Sequence, residues 1–208
     1  MKLESQIQKE SYALGLNLAQ NAGQLGVEID RDALIAGFQT LVKGEAIALG
    51  DEEAQEVIQS LNARIQEAQQ NAGAKVAEKF LAEGKAFLDE NGKKDGVSTT
   101  ESGLQYEVIH SADEGASPAA ESQVKVHYEG KLLNDQVFDS SYKRNEPATF
   151  GLNQVIKGWG EGLQLMKVGD VFRFFIPADL AYGNRGAGQA IPPGATLIFQ
   201  VELLEILD

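Results

Sequence analysis

The chain has 208 residues, no cysteine, two histidines and a formal net charge of -13. This composition excludes disulfide frameworks, zinc–thiolate sites and histidine metal clusters, and it argues against nucleic acid or an anionic membrane as a partner. No apolar run approaches the roughly 18 residues that a membrane span needs. The polar first residues Met1–Gln6 are not followed by an apolar signal-peptide core. We therefore expect a cytoplasmic protein, with a mature periplasmic protein as the alternative.

The two halves of the chain differ in composition. All five prolines and most aromatic residues lie in the second half, whereas the first half is rich in Ala, Gln, Glu and Leu. Ala, Gln, Glu and Leu favour helices, and the Val, Ile, Phe and Tyr of the second half favour strands. The sequence thus predicts an α+β protein, with an all-α domain over residues 1–95 and an antiparallel β-sheet domain over residues 96–208.

Three helices are predicted in the first half. The first runs over about 4–22, and the second lies between Asp30 as N-cap and Gly44 as the stop. The third covers about 51–91, where apolar residues recur at steps of three and four. Without a break it would be roughly 60 Å long. Gly73 and Gly84 are each expected to weaken it by about 1 kcal/mol and to favour a bend.

The length of the third helix favours a dimer. A helix this long cannot bury its whole apolar stripe against two short neighbours, and the first helix is apolar on more than one face. We expect a homodimer in which the short helices interlock, with the long helix as a connection to the second domain. The alternative is a monomeric helical domain packed on the second half.

The second half contains five predicted antiparallel strands. They cover residues 104–109, 123–128, 137–138, 171–176 and 196–206. In the second of them Val124, Val126 and Tyr128 alternate with polar residues, as expected for a sheet with one buried face.

Three motifs of the second half are the most informative. The only tryptophan, Trp159, lies between glycines in the segment 155–163, and this spacing is expected to let another chain approach its ring. The second motif is Ala181-Tyr182-Gly183, and the third is the stiff turn and apolar strand over 191–197. From the residues alone, the aromatic side chains could equally form an ordinary core.

In their order and spacing these motifs resemble the FK506-binding type of peptidyl-prolyl cis-trans isomerase (rotamase), over roughly residues 100–206. The resemblance implies a sheet wrapped around a short helix, a shallow apolar pocket and isomerisation of X–Pro bonds in folding proteins, with no metal or cofactor. The catalytic residues that it implies are Tyr128, Phe138, Asp139, Trp159, Tyr182 and Phe199. The substrate-binding residues that it implies are Phe150, Gln154, Val155, Ile156 and Ile191.

The resemblance also implies roles for single groups. Asp139, which by itself could be a turn or helix cap, would contact Tyr128 at the pocket rim. The Ile156 N–H and the Tyr182 hydroxyl would bind substrate carbonyls, and Ile191 would close the pocket from a loop. The chain departs from many eukaryotic members at Gln154, Ala187 and Ala190. The two alanines leave inhibitor affinity open but do not affect the expected reaction.

The first half resembles the N-terminal dimerisation domain of the macrophage-infectivity-potentiator-like bacterial branch. This likeness rests on Ser11-Tyr12-Ala13-Leu14-Gly15 and on the three-helix layout. It implies a homodimer that grips proline-containing segments of partly folded proteins and binds FK506 or rapamycin-type inhibitors. The alternatives are a non-catalytic holdase or scaffold for such segments, and a helical adaptor with a β domain attached.

Two other patterns carry no predicted function. The glycine-rich segment 183–188 lacks the strand-then-helix context of a phosphate-binding loop. His110 and His127 lie in strands without a second ligand pattern. No Ser-His-Asp or Cys-His arrangement can be assembled.

Overall fold

The structure, a computed structural model, describes residues 2–207. The chain divides into two compact units, one up to Ala72 and one from Gly73 on. Among the described residues, no helix is long and apolar enough to cross a membrane.

The predicted helices of the first half are present. They are α1 (Gln6–Gly23), α2 (Arg31–Lys43) and α3 (Asp51–Asn91). Helix α1 begins later than predicted because Ser5 forms a capping box: its hydroxyl accepts from the Gln8 N–H at 3.2 Å, and the Gln8 side chain accepts from the Ser5 N–H at 3.1 Å. As predicted, Asp30 caps the start of α2 and Gly44, with φ +67°, ends it.

The second unit is built on one antiparallel sheet of seven strands. The strands are β1 (Val97–Thr99), β2 (Gln105–His110), β3 (Gln123–Leu132), β4 (Val137–Ser140), β5 (Ala148–Gly151), β6 (Val171–Ile176) and β7 (Leu197–Ile206). Their order is β1-β2-β6-β7-β3-β4, and β5 also pairs with β3. The five predicted strands are confirmed. The prediction missed β1 and β5 because strands of three and four residues show little alternation.

Two helices complete this unit, α4 (Ser141–Arg144) and α5 (Lys157–Leu163). The buried face of the sheet and α5 enclose the core, in which Phe174, Leu163 and Leu203 are fully buried. The predicted alternation of β3 is confirmed, since Val124, Val126 and Tyr128 are buried. α5 is therefore the short helix around which the sheet wraps.

The second part of α3 packs on the sheet within the second unit. Ala77 is buried, a Cβ at Gly84 would overlap the Thr196 hydroxyl, and the Phe87 and Phe175 rings lie 5.8 Å apart. The composition of the chain instead predicts a domain boundary at 95/96. The compact units divide earlier, because residues 73–91 bury part of their surface against strands that come much later in the chain. A glycine is needed at Gly84 because α3 and the sheet approach each other closely there.

Candidate functional site

The sequence-predicted site residues lie together around one cavity of about 530 Å³ in the second unit. They come from β3, β4, β5, α5 and β7 and from the connections before α5 and after β6. The residues lining the cavity are the eleven that the resemblance implies: Tyr128, Phe138, Asp139, Phe150, Gln154, Val155, Ile156, Trp159, Tyr182, Ile191 and Phe199.

Trp159 forms the floor of this cavity from α5. Its side chain is only 4% exposed, and the rings of Tyr128, Phe150 and Phe199 stand nearly perpendicular to it at centroid distances of 5.2, 5.5 and 5.2 Å. Edge-to-face packing of this kind adds about 0.5–1.5 kcal/mol per pair to the effect of burial. The floor is thus a rigid aromatic cluster and not a mobile flap.

Two glycines of α5, Gly158 and Gly162, have a use that the sequence did not predict. A Cβ at Gly158 would lie 2.5 Å from Ile176, and a Cβ at Gly162 would lie 2.6 Å from the Phe174 ring. Both glycines therefore let α5 approach β6 closely. The helix can pack this tightly on the sheet only where it has no side chains. Gly160, on the other side of Trp159, would bring a Cβ near only the Leu152 carbonyl, at 3.2 Å. The access of another chain to the Trp159 ring stays a prediction.

A polar cluster lies at the rim of the cavity. The Tyr128 hydroxyl donates to Asp139 Oδ2, the Arg144 guanidinium donates to Asp139 Oδ1, and Arg144 Nη2 donates to the Tyr128 oxygen at 3.1 Å. The Arg144 guanidinium also lies 5.8 Å from the centre of the Tyr128 ring. The predicted contact between Asp139 and Tyr128 is therefore present, and Arg144 joins it.

This cluster fixes the protonation of its members. Burial raises the pKa of Asp139, but the hydrogen bonds from Tyr128 and Arg144 and the charge of Arg144 outweigh it, so the pKa lies below its usual value. Burial and the hydrogen bond to Asp139 raise the pKa of the Tyr128 hydroxyl. At neutral pH, Asp139 is thus ionised and Tyr128 protonated. The pair stabilises the fold above the unfolded pKa of Asp139, and this contribution is lost as the pH falls through the folded pKa.

The buried indole N–H of Trp159 has no hydrogen-bond partner in the described part of the chain. Two further donors at the cavity, which are more accessible, also have none. The Ile156 N–H precedes the first turn of α5, where only the Ile156 carbonyl is used, by Trp159 and Gly160. The Tyr182 hydroxyl belongs to a side chain that is 41% exposed. Both donors lie at a cavity that is otherwise mainly apolar, so both can bind carbonyl oxygens of a ligand.

The loop after β6 closes one side of the cavity. Ala187 and Ile191 exchange backbone hydrogen bonds of 2.9 and 3.1 Å, which hold the Ile191 side chain buried against the core. Ala190 is exposed, and neither Ala187 nor Ala190 is among the described residues that line the cavity.

The described residues 2–207 contain no cluster of three or more His, Cys, Asp or Glu side chains that could hold a metal ion. The groups that the cavity presents to a ligand are its aromatic walls, its unpaired donors and the Tyr128–Asp139–Arg144 cluster at its rim.

Known proteins resemble this chain over most of its length. Residues 114–204 match the family model of the FKBP-type peptidyl-prolyl cis-trans isomerases, and residues 7–108 match that of the domain amino terminal to such isomerases. The chain is 45% identical to the FKBP-type 22 kDa peptidyl-prolyl cis-trans isomerase of Escherichia coli (strain K12), over 95% of this chain and 94% of that protein. The chain belongs to the FKBP-type peptidyl-prolyl cis-trans isomerases.

Two further relatives carry the same N-terminal part. The isomerase is 40% identical to the outer membrane protein MIP of Legionella longbeachae, over 95% of this chain and 84% of that protein. It superposes on the crystal structure of FkpA from Escherichia coli with a TM-score of 0.78 and 37% identity, covering 99% of this chain and 98% of that one. The predicted likeness to the macrophage-infectivity-potentiator branch is therefore confirmed.

Arg144 is a residue of this FKBP-type isomerase that the sequence motifs did not predict at the site. The residue follows Asp139 by five positions, and α4 brings its guanidinium back to Asp139 and Tyr128. By itself, the sequence Asp139-Ser140-Ser141 predicts a turn or helix cap. That reading contained a signal, because Ser140 does cap α4 by accepting from the Lys143 N–H at 3.3 Å. A short helix there would have placed Arg144 near Asp139.

Proposed function

We propose that the cavity of this isomerase holds the proline ring of an X–Pro segment on the Trp159 floor and accelerates rotation about the preceding amide. The observation that supports this most is the combination of aromatic walls with two unpaired donors, the Ile156 N–H and the Tyr182 hydroxyl. Apolar walls suit the proline ring, and the two donors suit the carbonyls on either side of it.

The reaction needs no nucleophile. Amide resonance gives the C–N bond double-bond character and a rotation barrier of about 18–20 kcal/mol. The twisted amide has less charge separation than the planar one, so a largely dry, apolar cavity favours it. Each tenfold acceleration requires about 1.4 kcal/mol of such preferential stabilisation.

The polar rim has a separate role in this proposal. The Ile156 N–H holds the carbonyl next to the proline-like ring, and the Tyr182 hydroxyl holds a second carbonyl while the other side of the amide turns. Asp139, ionised and paired with Arg144, orients the Tyr128 hydroxyl at the edge of the cavity and supplies a fixed negative charge near the rotating amide.

Two substitutions at the rim test this proposal. Asp139→Asn and Tyr182→Phe are each expected to lower kcat/KM for a prolyl peptide by about tenfold or more, equivalent to about 1.4 kcal/mol or more. Asp139→Asn removes the charge that orders Tyr128 and Arg144, and Tyr182→Phe removes one carbonyl donor. An isomerisation assay with a short prolyl peptide measures both effects.

Matched controls lie outside the cavity. Asp113 is exposed, and the Tyr106 ring stacks on Phe172 at 5.6 Å away from the site. Asp113→Asn and Tyr106→Phe should therefore leave turnover within about twofold of wild type, a difference of about 0.4 kcal/mol. Turnover at the wild-type rate in both Asp139→Asn and Tyr182→Phe would refute the assignment of the rim residues.

We also propose that the first unit makes a homodimer. None of its described residues 2–72 is buried, and large apolar side chains such as Leu14, Leu18 and Phe38 are 63%, 47% and 57% exposed. A unit without a buried core cannot offset the conformational entropy of folding. Its α1 and α2 also border an open cavity of about 570 Å³ with mainly apolar walls. A second copy offers matching apolar helices to cover these surfaces.

A pair of neighbouring substitutions in α2 tests the dimer. Phe38 and Gln39 are both exposed in the single chain, so Phe38→Glu and Gln39→Glu add the same charge at adjacent positions. Only Phe38→Glu is expected to convert the dimer to monomers, because it places a carboxylate in an apolar interface. Light scattering at micromolar concentration measures the mass of each variant.

The dimer also has an expected functional effect. Two cavities on one dimer hold a client chain at high effective concentration. The acceleration of proline-limited protein refolding by the Phe38→Glu variant should therefore be about one tenth of the wild-type acceleration or less. Its turnover of short peptides should be unchanged. If the wild-type chain is a monomer, or if a monomeric variant accelerates refolding as much as wild type does, the first unit does not have this role.

We propose that the dimer holds client chains in addition to catalysing isomerisation. A purely non-catalytic holdase is not supported, since the chain belongs to the FKBP-type isomerases and is 45% identical to an isomerase of Escherichia coli. The cytoplasmic location stays a prediction, which fractionation of cells that express the chain can test.

A further inference from the structure

At Tyr128, one edge of β3 has no neighbouring strand in the described part of the chain. On that edge β4 pairs with β3 from Glu129 onwards, and β5 pairs with it only up to Val126. The opposite edge pairs with β7 throughout this region, Tyr128 facing Val201. The Tyr128 N–H and C=O point into the gap between β4 and β5. Because Tyr128 is only 5% exposed, these groups would be costly to leave unpaired.

The Ser141 hydroxyl fills this gap. Ser141 Oγ accepts from the Tyr128 N–H at 2.7 Å and donates to the Tyr128 carbonyl at 3.2 Å. One side chain thus makes both hydrogen bonds that a neighbouring strand would make. Ser141 is the first residue of α4 and is 0% exposed.

The surroundings of Ser141 keep water out. The His127 Nδ1 atom lies 2.9 Å from Ser141 Oγ, and the His127 ring stacks on Tyr142 with centroids 4.8 Å apart. Protein groups therefore enclose the Ser141 hydroxyl, in keeping with the complete burial of this residue.

Both ends of helix α4 bind Tyr128. Ser141, at the start of the helix, binds the Tyr128 main chain, and Arg144, at its end, binds the Tyr128 hydroxyl and Asp139. We propose that Ser141 is a positioning residue for the isomerisation, which fixes the Tyr128 main chain so that the Tyr128 hydroxyl meets Asp139 and Arg144 at the cavity rim. This inference rests on the proposed function, in which turnover depends on the Tyr128 hydroxyl that Asp139 and Arg144 orient at the edge of the cavity.

A double-mutant cycle in the full chain tests the proposal. Ser141→Ala is expected to lower kcat for a prolyl peptide by about tenfold, with KM changed less than about twofold, because the cavity walls remain and only the rim hydroxyl is displaced. In a Tyr128→Phe background the same substitution should cost less than about twofold, since the hydroxyl that it positions is gone. Exchange NMR on the peptide separates kcat from KM.

Ser140→Ala is the matched control. Ser140 is buried and caps α4, but its hydroxyl does not contact Tyr128. Ser140→Ala removes one cap bond and should lower the melting temperature less than Ser141→Ala, while leaving kcat near wild type. Should Ser141→Ala fail to fold, Ser141→Cys, which keeps the size and a weak donor, should show the same dependence on Tyr128 with a smaller loss.

The outcomes distinguish the two levels of the proposal. Wild-type turnover in Tyr128→Phe alone would overturn both the proposed role of the Tyr128 hydroxyl and the positioning role of Ser141. A loss in Tyr128→Phe together with either no loss in Ser141→Ala, or an equal Ser141→Ala loss in both backgrounds, would overturn the positioning role alone.

Discussion

Replacing Trp159 with alanine is expected to abolish detectable binding of prolyl peptides and of FK506 and to lower stability by about 3–5 kcal/mol. The indole is the floor of the cavity and packs edge to face against Tyr128, Phe150 and Phe199. Its removal merges the binding cavity with a new void in the core, so that the proline ring loses its main contact surface. Calorimetric titration and thermal unfolding measure the two effects separately.

Trp159→Phe separates binding from folding in this experiment. A phenyl ring keeps much of the packing, so this variant should remain folded, with binding weakened by about tenfold, or 1.4 kcal/mol. The chain has one tryptophan, which means that wild-type fluorescence reports directly on the occupied cavity. A folded Trp159→Ala variant with wild-type affinity would rule out Trp159 as the floor of the binding site.

Two fragments of the chain are expected to differ sharply in stability. A fragment of residues 73–208 should unfold as cooperatively as the second unit of the full chain, whereas residues 96–208 should be less stable by about 2–4 kcal/mol. The shorter fragment lacks Phe87, which packs on Phe175, and Asn91, whose amide donates to the buried Gln105 at 3.0 Å. Urea unfolding of both fragments measures the difference.

Two glycines of α3 give a matched test in the full chain. Nothing lies within 4 Å of a Cβ at Gly73, so Gly73→Ala should stabilise the protein by up to about 1 kcal/mol through helix propensity. A Cβ at Gly84 would overlap the Thr196 hydroxyl, so Gly84→Ala should destabilise it despite the same gain in propensity. Equal unfolding of the two fragments, or stabilisation by both substitutions, would show that residues 73–91 do not support the sheet.

Local sequence signals determined much of the architecture. Asp30 and Gly44 marked the ends of α2 because caps act within a few residues of the chain. The alternation of Val124, Val126 and Tyr128 identified the buried face of β3, since side chains on a strand alternate with period two. The motifs around Trp159, Tyr182 and Ile191 also named the residues that line the cavity, because family motifs preserve which side chains meet even where their separation in sequence is large.

Only the tertiary structure decided which surfaces of these elements pack against each other. The helical pattern of α3 shows an apolar stripe but not its partner, and the stripe beyond Gly73 packs on strands far along the chain. The sequence shows that glycines flank Trp159, but that Gly158 lets α5 approach β6 follows only from the distance between these two elements. The roles of Arg144 and Ser141 depend on strand register and on the gap between β4 and β5. Hydrogen bonds between distant segments follow from that register, which no local pattern of residues encodes.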